Sequence, residues 1–138
     1  MESTRMNGKV KGLVNLVSCG IILGNCAVCS SSLLDRFAPL PMTEAWLYVA
    51  SVAFGLALGM VLEEMGPMLL SVCALALIAV LILSGVLVAA ALVNQIPYLD
   101  IVLLLAFQQS FVRFLVISAL GGVGIFFALL LKLGLGRL

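Results

Sequence analysis

Three of the four cysteines stand in a pattern that suits thiol chemistry. Cys19, Cys26 and Cys29 recur at spacings of seven and three residues, so on a helix they share one face. Cys26 and Cys29 form a C-x-x-C pair, a spacing at which two thiols can interconvert with a disulfide. Cysteine is also a small apolar packing residue, and a single C-x-x-C in an apolar helix is typical of both uses. Cys26 and Cys29 are therefore the candidate redox residues.

Two adjacent carboxylates, Glu63 and Glu64, form a second candidate site. Adjacent residues point about 100° apart on a helix, so at most one of them faces a given neighbour. A glutamate turned into a membrane bundle can bind a cation or a proton, and such residues are usually functional. Gly66 and Pro67 follow directly and are typical of a turn, which would leave both glutamates solvated. Glu63 and Glu64 are therefore a candidate ion or proton site, with solvated turn residues as the alternative.

Arg113, together with Gln108 and Gln109, is the third candidate. A guanidinium binds oxyanions in a bidentate geometry, so this group can line a polar cavity or bind a lipid phosphate. An arginine near the end of a membrane helix also commonly extends to the headgroups without a specific ligand. We predict that these three residues contact a lipid headgroup or a polar cavity.

Composition defines the class of protein that must position these residues. The chain has 138 residues, of which 64% are hydrophobic and 9% charged, whereas soluble domains are nearer 25% charged. So few polar groups cannot cover the surface in water, but lipid can cover it instead. The net charge of +1 gives no electrostatic case for nucleic-acid binding. Without histidine, a His-ligated haem and a Cys/His zinc site are excluded, and we expect no metal and no cofactor.

The apolar runs predict an all-α integral membrane protein with four transmembrane helices. The longest run would form a helix of about 40 Å, enough to cross a ~30 Å hydrocarbon core with a tilt. The four predicted spans are 12–34, 45–63, 67–93 and 111–131. Residues 1–11 are a short polar N-terminal arm, and residues 1–138 form a single transmembrane bundle.

The first and last spans each have an alternative. A basic start followed by an apolar run is also the pattern of a cleaved signal peptide, but the length of the run and the three later spans favour a retained helix. At the other end, residues 101–131 would form a helix of about 46 Å, and Arg113 inside the core would cost about 2.5–3.5 kcal/mol. We therefore predict a break near residue 111, preceded by a short interfacial or re-entrant helix at about 99–110.

Four spans place both termini on one side of the membrane. Five basic residues then lie on the terminal side and two on the other, a bias that predicts cytoplasmic termini. The five are Arg5, Lys9, Lys11, Lys132 and Arg137, and the two are Arg36 and Arg113.

Small residues recur at the spacing that lets membrane helices approach closely. They are the GxxxG pairs Gly20–Gly24 and Gly55–Gly59 and a patch that includes Gly121 and Gly122. We predict helix packing at these glycines. Three such patches on so small a chain favour contacts with partners in addition to contacts within the bundle.

Three functions from different classes fit these features. The leading prediction is a non-catalytic structural or assembly subunit of a larger membrane complex or homo-oligomer, whose partners are the lipid bilayer and other membrane subunits or itself. The second is a small oligomeric transporter or channel for ions or small solutes. Four-span exporters of similar length place a glutamate inside the first helix, however, and this first span carries no charge.

The third function is membrane thiol–disulfide oxidoreduction at Cys26 and Cys29. A C-x-x-C at the edge of a four-helix membrane bundle resembles the arrangement in quinone-linked thiol oxidases. The resemblance implies a second cysteine pair that relays electrons. Apart from Cys19 on the same helix, only Cys73 remains here, and we expect it near the opposite membrane face.

Overall fold

The computed structural model describes residues 2–31, 44–94 and 97–135, and these ranges contain no strand. They form four α-helices, α1 (Glu2–Cys29), α2 (Glu44–Val61), α3 (Met65–Val93) and α4 (Leu99–Gly134). Each helix contains an apolar stretch long enough to cross a membrane. The prediction of an all-α membrane protein with four spans is confirmed.

Both ends of α1 differ from the predicted span 12–34. The helix begins at Glu2, so the predicted polar arm continues directly into the apolar run as one helix. Residues 2–11 contain no proline, so nothing in them forces a break before that run. At the other end α1 stops at Cys29, and the Ser30 N–H bonds to the Cys26 carbonyl oxygen at 3.0 Å. Residues 32–43, which include Arg36, lie outside the described ranges.

A larger difference concerns α4, which is continuous from Leu99 to Gly134. The break predicted near residue 111 does not occur, and the separate interfacial or re-entrant helix at 99–110 is instead the first part of α4. Residues 99–120 contain neither glycine nor proline, so the backbone has no cause to break there. The prediction treated Arg113 as an isolated charge, whereas in the fold it is paired with Glu44.

The helices pack in the order α1, α3, α4, α2, and α1 makes little contact with α2. Glycines allow the closest approaches in this arrangement. A Cβ on Gly20 of α1 would lie 2.8 Å from Ile78 Cγ2 of α3, and a Cβ on Gly24 would lie 2.7 Å from Ile82 Cδ1. Because real Cβ atoms do not approach so closely, a larger residue at either glycine would require the Ile78 or Ile82 side chain to move.

The contact between α2 and α4 is closer still. Gly55 of α2 lies directly against the backbone of Gly121, and Gly124 lies against the Val52 carbonyl oxygen, with no room for a side chain at either glycine. A Cβ on Gly59 would lie 2.6 Å from Ala128 Cβ. These two helices therefore meet backbone to backbone.

Six charged residues and their polar neighbours lie in two layers across this bundle. The terminal polar layer comprises Lys11, Glu63, Glu64 and Lys132, and the Arg113 polar layer comprises Ser30, Ser31, Glu44, Gln109 and Arg113. The pairs Lys11–Ser30, Glu44–Glu63 and Arg113–Lys132 are each 19 residues apart. That separation is about 28 Å at the helical rise and matches a ~30 Å hydrocarbon core.

One hydrogen bond in the terminal polar layer joins the ends of α2 and α4. Lys132 Nζ donates to the Leu62 carbonyl oxygen at 2.7 Å, so the last turn of α4 covers the end of α2. A cation is favoured there because the C-terminal end of a helix carries partial negative charge. We call the part of the bundle between the two layers the four-helix section; its described residues carry no charged side chain.

Among the described residues, only α3 and α4 continue past the Arg113 polar layer. We call this part, residues 85–94 and 97–112, the projection. Its α4 portion rises about 20 Å and its α3 portion about 13 Å. At its base the hydroxyls of Ser84 and Ser110 are hydrogen-bonded at 2.8 Å, and Leu87, Ala91 and Ala106 are buried.

Candidate binding site at the Arg113 polar layer

One face of α4 supplies most of the candidate site. Leu105, Gln109, Val112 and Val116 follow one another at intervals of four, three and four residues, which places them along the same face of a helix. Arg113 lies beside this row. Because α4 is continuous, side chains of the projection and of the four-helix section line one cavity.

Arg113 joins the ends of two other helices. Its Nη2 donates to Glu44 Oε1 at 2.6 Å and to the Ser30 carbonyl oxygen at 3.3 Å. Glu44 lies in the first turn of α2, where partial positive charge favours a carboxylate. Ser30 follows the last turn of α1, where the free carbonyls favour a cation. The two helix ends therefore add to the attraction between the paired charges.

The two partners differ strongly in exposure. The Arg113 side chain is 7% exposed and the Glu44 side chain 51% exposed. The Tyr48 hydroxyl, one turn along α2, donates to Glu44 Oε2 at 3.1 Å. Glu44 thus uses one carboxylate oxygen for Arg113 and the other for Tyr48, while much of its surface stays accessible to a ligand.

Gln109 provides a further polar group beside the pair. Its Nε2 donates to Ser31 Oγ at 3.2 Å, which ties α4 to the end of α1. Its Oε1 is buried and has no hydrogen-bond donor among the described residues. Buried polar atoms are normally hydrogen-bonded, but this oxygen has almost no surface that a ligand could reach, so the accessible amide of the site is that of Gln108.

These groups surround a cavity of about 370 Å³. Its lining residues are Glu44, Tyr48, Leu105, Gln108, Gln109, Val112, Arg113 and Val116. The lining combines a carboxylate, a guanidinium, a phenol and two amides with three aliphatic side chains. This chemistry suits the binding of a ligand that carries both charges and an apolar part.

All three predicted residues of this site, Gln108, Gln109 and Arg113, line the same cavity. Glu44 and Tyr48 also line the cavity, and the sequence analysis did not include them among the candidate residues. The four-span topology held a usable signal, because it places Glu44 and Arg113 on the same side of the membrane.

The cysteine pair lies at a different position in the bundle. Cys26 packs against the main hydrophobic core, and Cys29 ends α1; both are half-buried free thiols. Cys73 is exposed on the first half of α3, towards the terminal polar layer. In the described ranges no three His, Cys, Asp or Glu side chains cluster as a metal site would require. Thiol–disulfide exchange at Cys26 and Cys29 stays a prediction.

Glu63 and Glu64 lie between α2 and α3 in the terminal polar layer, and both are exposed. Glu64 occupies the N-cap position of α3 and makes no side-chain capping bond within the described structure. Neither carboxylate turns into the four-helix section. Ion or proton binding at these residues stays a prediction, without support from a cavity.

The predicted packing glycines lie mostly between helices of this chain. Gly20, Gly24, Gly55, Gly59 and Gly121 all face another helix of the same bundle. Gly122 differs, because a Cβ there would meet no atom within 4 Å. The glycine patches therefore give no separate argument for a partner, contrary to the inference from their number, since the bundle itself occupies them.

A second cavity, of about 480 Å³, opens between α1 and α2 near the terminal polar layer. Its lining is mainly apolar, with Leu16, Phe54 and Leu58 among its residues and Asn15 and Ser71 as polar members. It lies where α1 and α2 diverge. An acyl chain of the surrounding lipid has the chemistry to fill such a space.

Comparison of the chain with protein-family models, with curated proteins and with solved structures gave no match. Function must therefore be inferred from the geometry of this bundle.

Proposed function

We propose that this protein is a non-catalytic structural or assembly subunit of a membrane complex, and that the projection is its docking surface. The supporting observation is that the projection exposes large apolar side chains beyond the Arg113 polar layer. These side chains are Val86, Leu92, Val93, Leu99, Ile101, Leu103, Leu104, Leu105, Phe107, Phe111 and Val112. Phe107 alone is 72% exposed.

Water is a poor environment for such a surface. Monomeric soluble proteins rarely expose a contiguous apolar patch of more than a few hundred Å², and larger patches mark contacts with proteins or membranes. In the described part of the projection Asp100 is the one charged residue, and it lies at the tip. A bilayer placed on the two polar layers covers the four-helix section, so the projection needs a different cover.

A second copy of this chain is the partner that the geometry favours. Two copies inserted with the same orientation carry their projections at the same height. Two antiparallel helices from each copy complete a four-helix bundle above the membrane, and a two-fold axis relates equivalent surfaces. A different subunit whose apolar helices reach this height would bind through the same chemistry.

Site-specific photo-crosslinking in the native membrane tests the proposal. A benzophenone side chain replaces Phe107 in the projection or Phe126, which is 59% exposed in the four-helix section. Position 107 is expected to crosslink to protein, giving a species of twice 14.5 kDa with a second copy. Position 126 is the control and is expected to label lipid.

The adduct at position 107 identifies the type of assembly. A crosslinked protein of any other mass would show a different subunit on the projection and overturn self-association alone. Labelling of lipid only at both positions would contradict docking, because the bilayer would then be the cover of the projection.

A further inference from the structure

The cavity beside Arg113 combines three features that together select a type of ligand. It has a charge pair, the side-chain amides of Gln108 and Gln109, and aliphatic side chains along its length. We propose that it binds the phosphoethanolamine group of an aminophospholipid. This inference concerns a lipid ligand and does not depend on docking by the projection.

The charge pair defines the electrostatics of the site. Arg113 and Glu44 neutralise each other, so the cavity offers no excess charge to a purely anionic or purely cationic ligand. A zwitterion places its phosphate near the guanidinium and its ammonium near the exposed carboxylate. Both contacts are then charge-assisted hydrogen bonds, which are stronger than neutral ones.

Hydrogen-bond capacity distinguishes among zwitterions. Glu44 keeps half of its side-chain surface exposed, and the exposed side chain of Gln108 adds an amide oxygen to the cavity lining. A primary ammonium has three N–H donors for such acceptors, whereas a trimethylammonium has none. Phosphatidylethanolamine therefore satisfies the cavity, and phosphatidylcholine leaves its acceptors unpaired.

The position of the cavity assigns the apolar part of the ligand. The Arg113 polar layer lies at one surface of the predicted hydrocarbon core, which is where phospholipid headgroups are found. Val116 continues from Arg113 along the cavity wall towards the hydrocarbon core and can contact the glycerol and the first part of an acyl chain. A phospholipid therefore enters from the surrounding leaflet without crossing the bundle.

Native mass spectrometry of the delipidated full chain in detergent measures this selectivity directly. The chain is titrated with phosphatidylethanolamine, phosphatidylcholine and phosphatidylglycerol that carry identical acyl chains. We expect phosphatidylethanolamine to bind roughly tenfold more tightly than either of the others, since it alone makes both charged contacts and supplies N–H donors. Equal binding of the three lipids, or tightest binding of phosphatidylglycerol, would overturn the proposal.

Two matched variants locate the effect. Glu44→Gln removes the negative charge from the cavity and is expected to abolish the preference for phosphatidylethanolamine. Glu63→Gln makes the same change in the terminal polar layer and is expected to keep it. Thermal unfolding of both variants is measured in parallel, so that a loss of binding is interpreted only for a variant that is folded. Preference retained in folded Glu44→Gln would contradict the assigned site.

The methyl ester of O-phosphoethanolamine is a soluble phosphodiester that carries the same headgroup without glycerol or acyl chains, and a competition titration separates the two sources. We expect it to displace the lipid only at a large molar excess, because it lacks the contacts to Val116. Competition at equal concentrations would assign the site to a soluble phosphoethanolamine compound and overturn the lipid as ligand.

Discussion

The four-helix section and the projection share two helices but meet different surroundings. In the four-helix section α3 and α4 are flanked by α1 and α2, glycines bring backbones into contact, and only uncharged side chains face outwards. In the projection the same two helices continue, and no other described helix flanks them, yet their outward side chains are just as apolar. The apolar character of α3 and α4 therefore does not change at the Arg113 polar layer, whereas the number of described helices does.

The difference indicates which surroundings stabilise each part. The four-helix section needs only lipid around it, because the 19-residue spacing of its polar residues matches the hydrocarbon core. The projection extends past that thickness, and its exposed apolar side chains are the basis of the proposed docking. The boundary between them coincides with the Arg113–Glu44 pair, which is where a headgroup ligand would also lie.

The largest effect is expected when the same charge is placed on the four-helix section and on the projection. Phe126→Asp places a charge on the four-helix section and is expected to cost about 3 kcal/mol of apparent insertion free energy. Phe107→Asp makes the same change on the projection and is expected to cost less than about 1 kcal/mol, because that position lies beyond the hydrocarbon core. Glycosylation-site mapping of the full chain measures both. Equal costs would remove the distinction between the two parts.

The second prediction concerns the asymmetry of the ion pair at the boundary. Glu44→Leu leaves Arg113 buried with only a carbonyl acceptor and is expected to destabilise the fold by about 2–3 kcal/mol. Arg113→Met leaves Glu44 half-exposed and solvated, so about 1 kcal/mol is expected. Reversible unfolding in mixed detergent micelles gives both values. A larger cost for Arg113→Met than for Glu44→Leu would contradict this order. It would mean that the other contacts of Arg113 contribute more to stability than its pairing with Glu44.

A third prediction tests backbone packing in the four-helix section. Gly55→Ala forces a methyl group against the backbone of Gly121 and is expected to destabilise the bundle by about 2 kcal/mol. Gly122→Ala is the matched control, because a Cβ there meets no atom within 4 Å, and replacing a helical glycine can add up to about 1 kcal/mol. Thermal unfolding monitored by circular dichroism compares them. Equal stability of the two variants would contradict close contact between α2 and α4.

The smallest effect is expected at the tip of the projection. Tyr98 has φ 74° and ψ 47°, in the left-handed region that asparagine adopts more readily than tyrosine. Tyr98→Asn is expected to stabilise the chain by about 0.5 kcal/mol, and Tyr98→Val to destabilise it by about 1 kcal/mol, since a β-branched residue is strained there. The same unfolding measurement applies, and the reverse order would contradict this turn geometry.

Much of the architecture was predictable from local sequence. Charged and turn-forming residues interrupt the apolar runs, and helices in lipid must satisfy their own backbone hydrogen bonds. The number of spans and their approximate limits follow from these two conditions. The break predicted within α4 was wrong, since it assumed that a lone Arg113 must leave the core, and the pairing that removes the penalty joins residues 69 positions apart.

The candidate site was predictable only in part. Gln108, Gln109 and Arg113 are close in sequence, so one helix brings them together and their types indicate polar contacts. Glu44, Ser30 and Ser31 come from two other helices, and nothing in the spacing along the chain places them beside Arg113. The sequence also did not predict which helix each glycine pair contacts, because a GxxxG motif does not specify its partner helix.

By itself, the sequence determined that this chain resides in lipid and crosses it as helices, because hydropathy and backbone hydrogen bonding act over single segments. Only the tertiary structure decided which helix lies beside which, where the two polar layers fall and how far α3 and α4 extend past one of them. Those properties depend on contacts between residues distant along the chain, and such contacts have no local pattern from which they can be read.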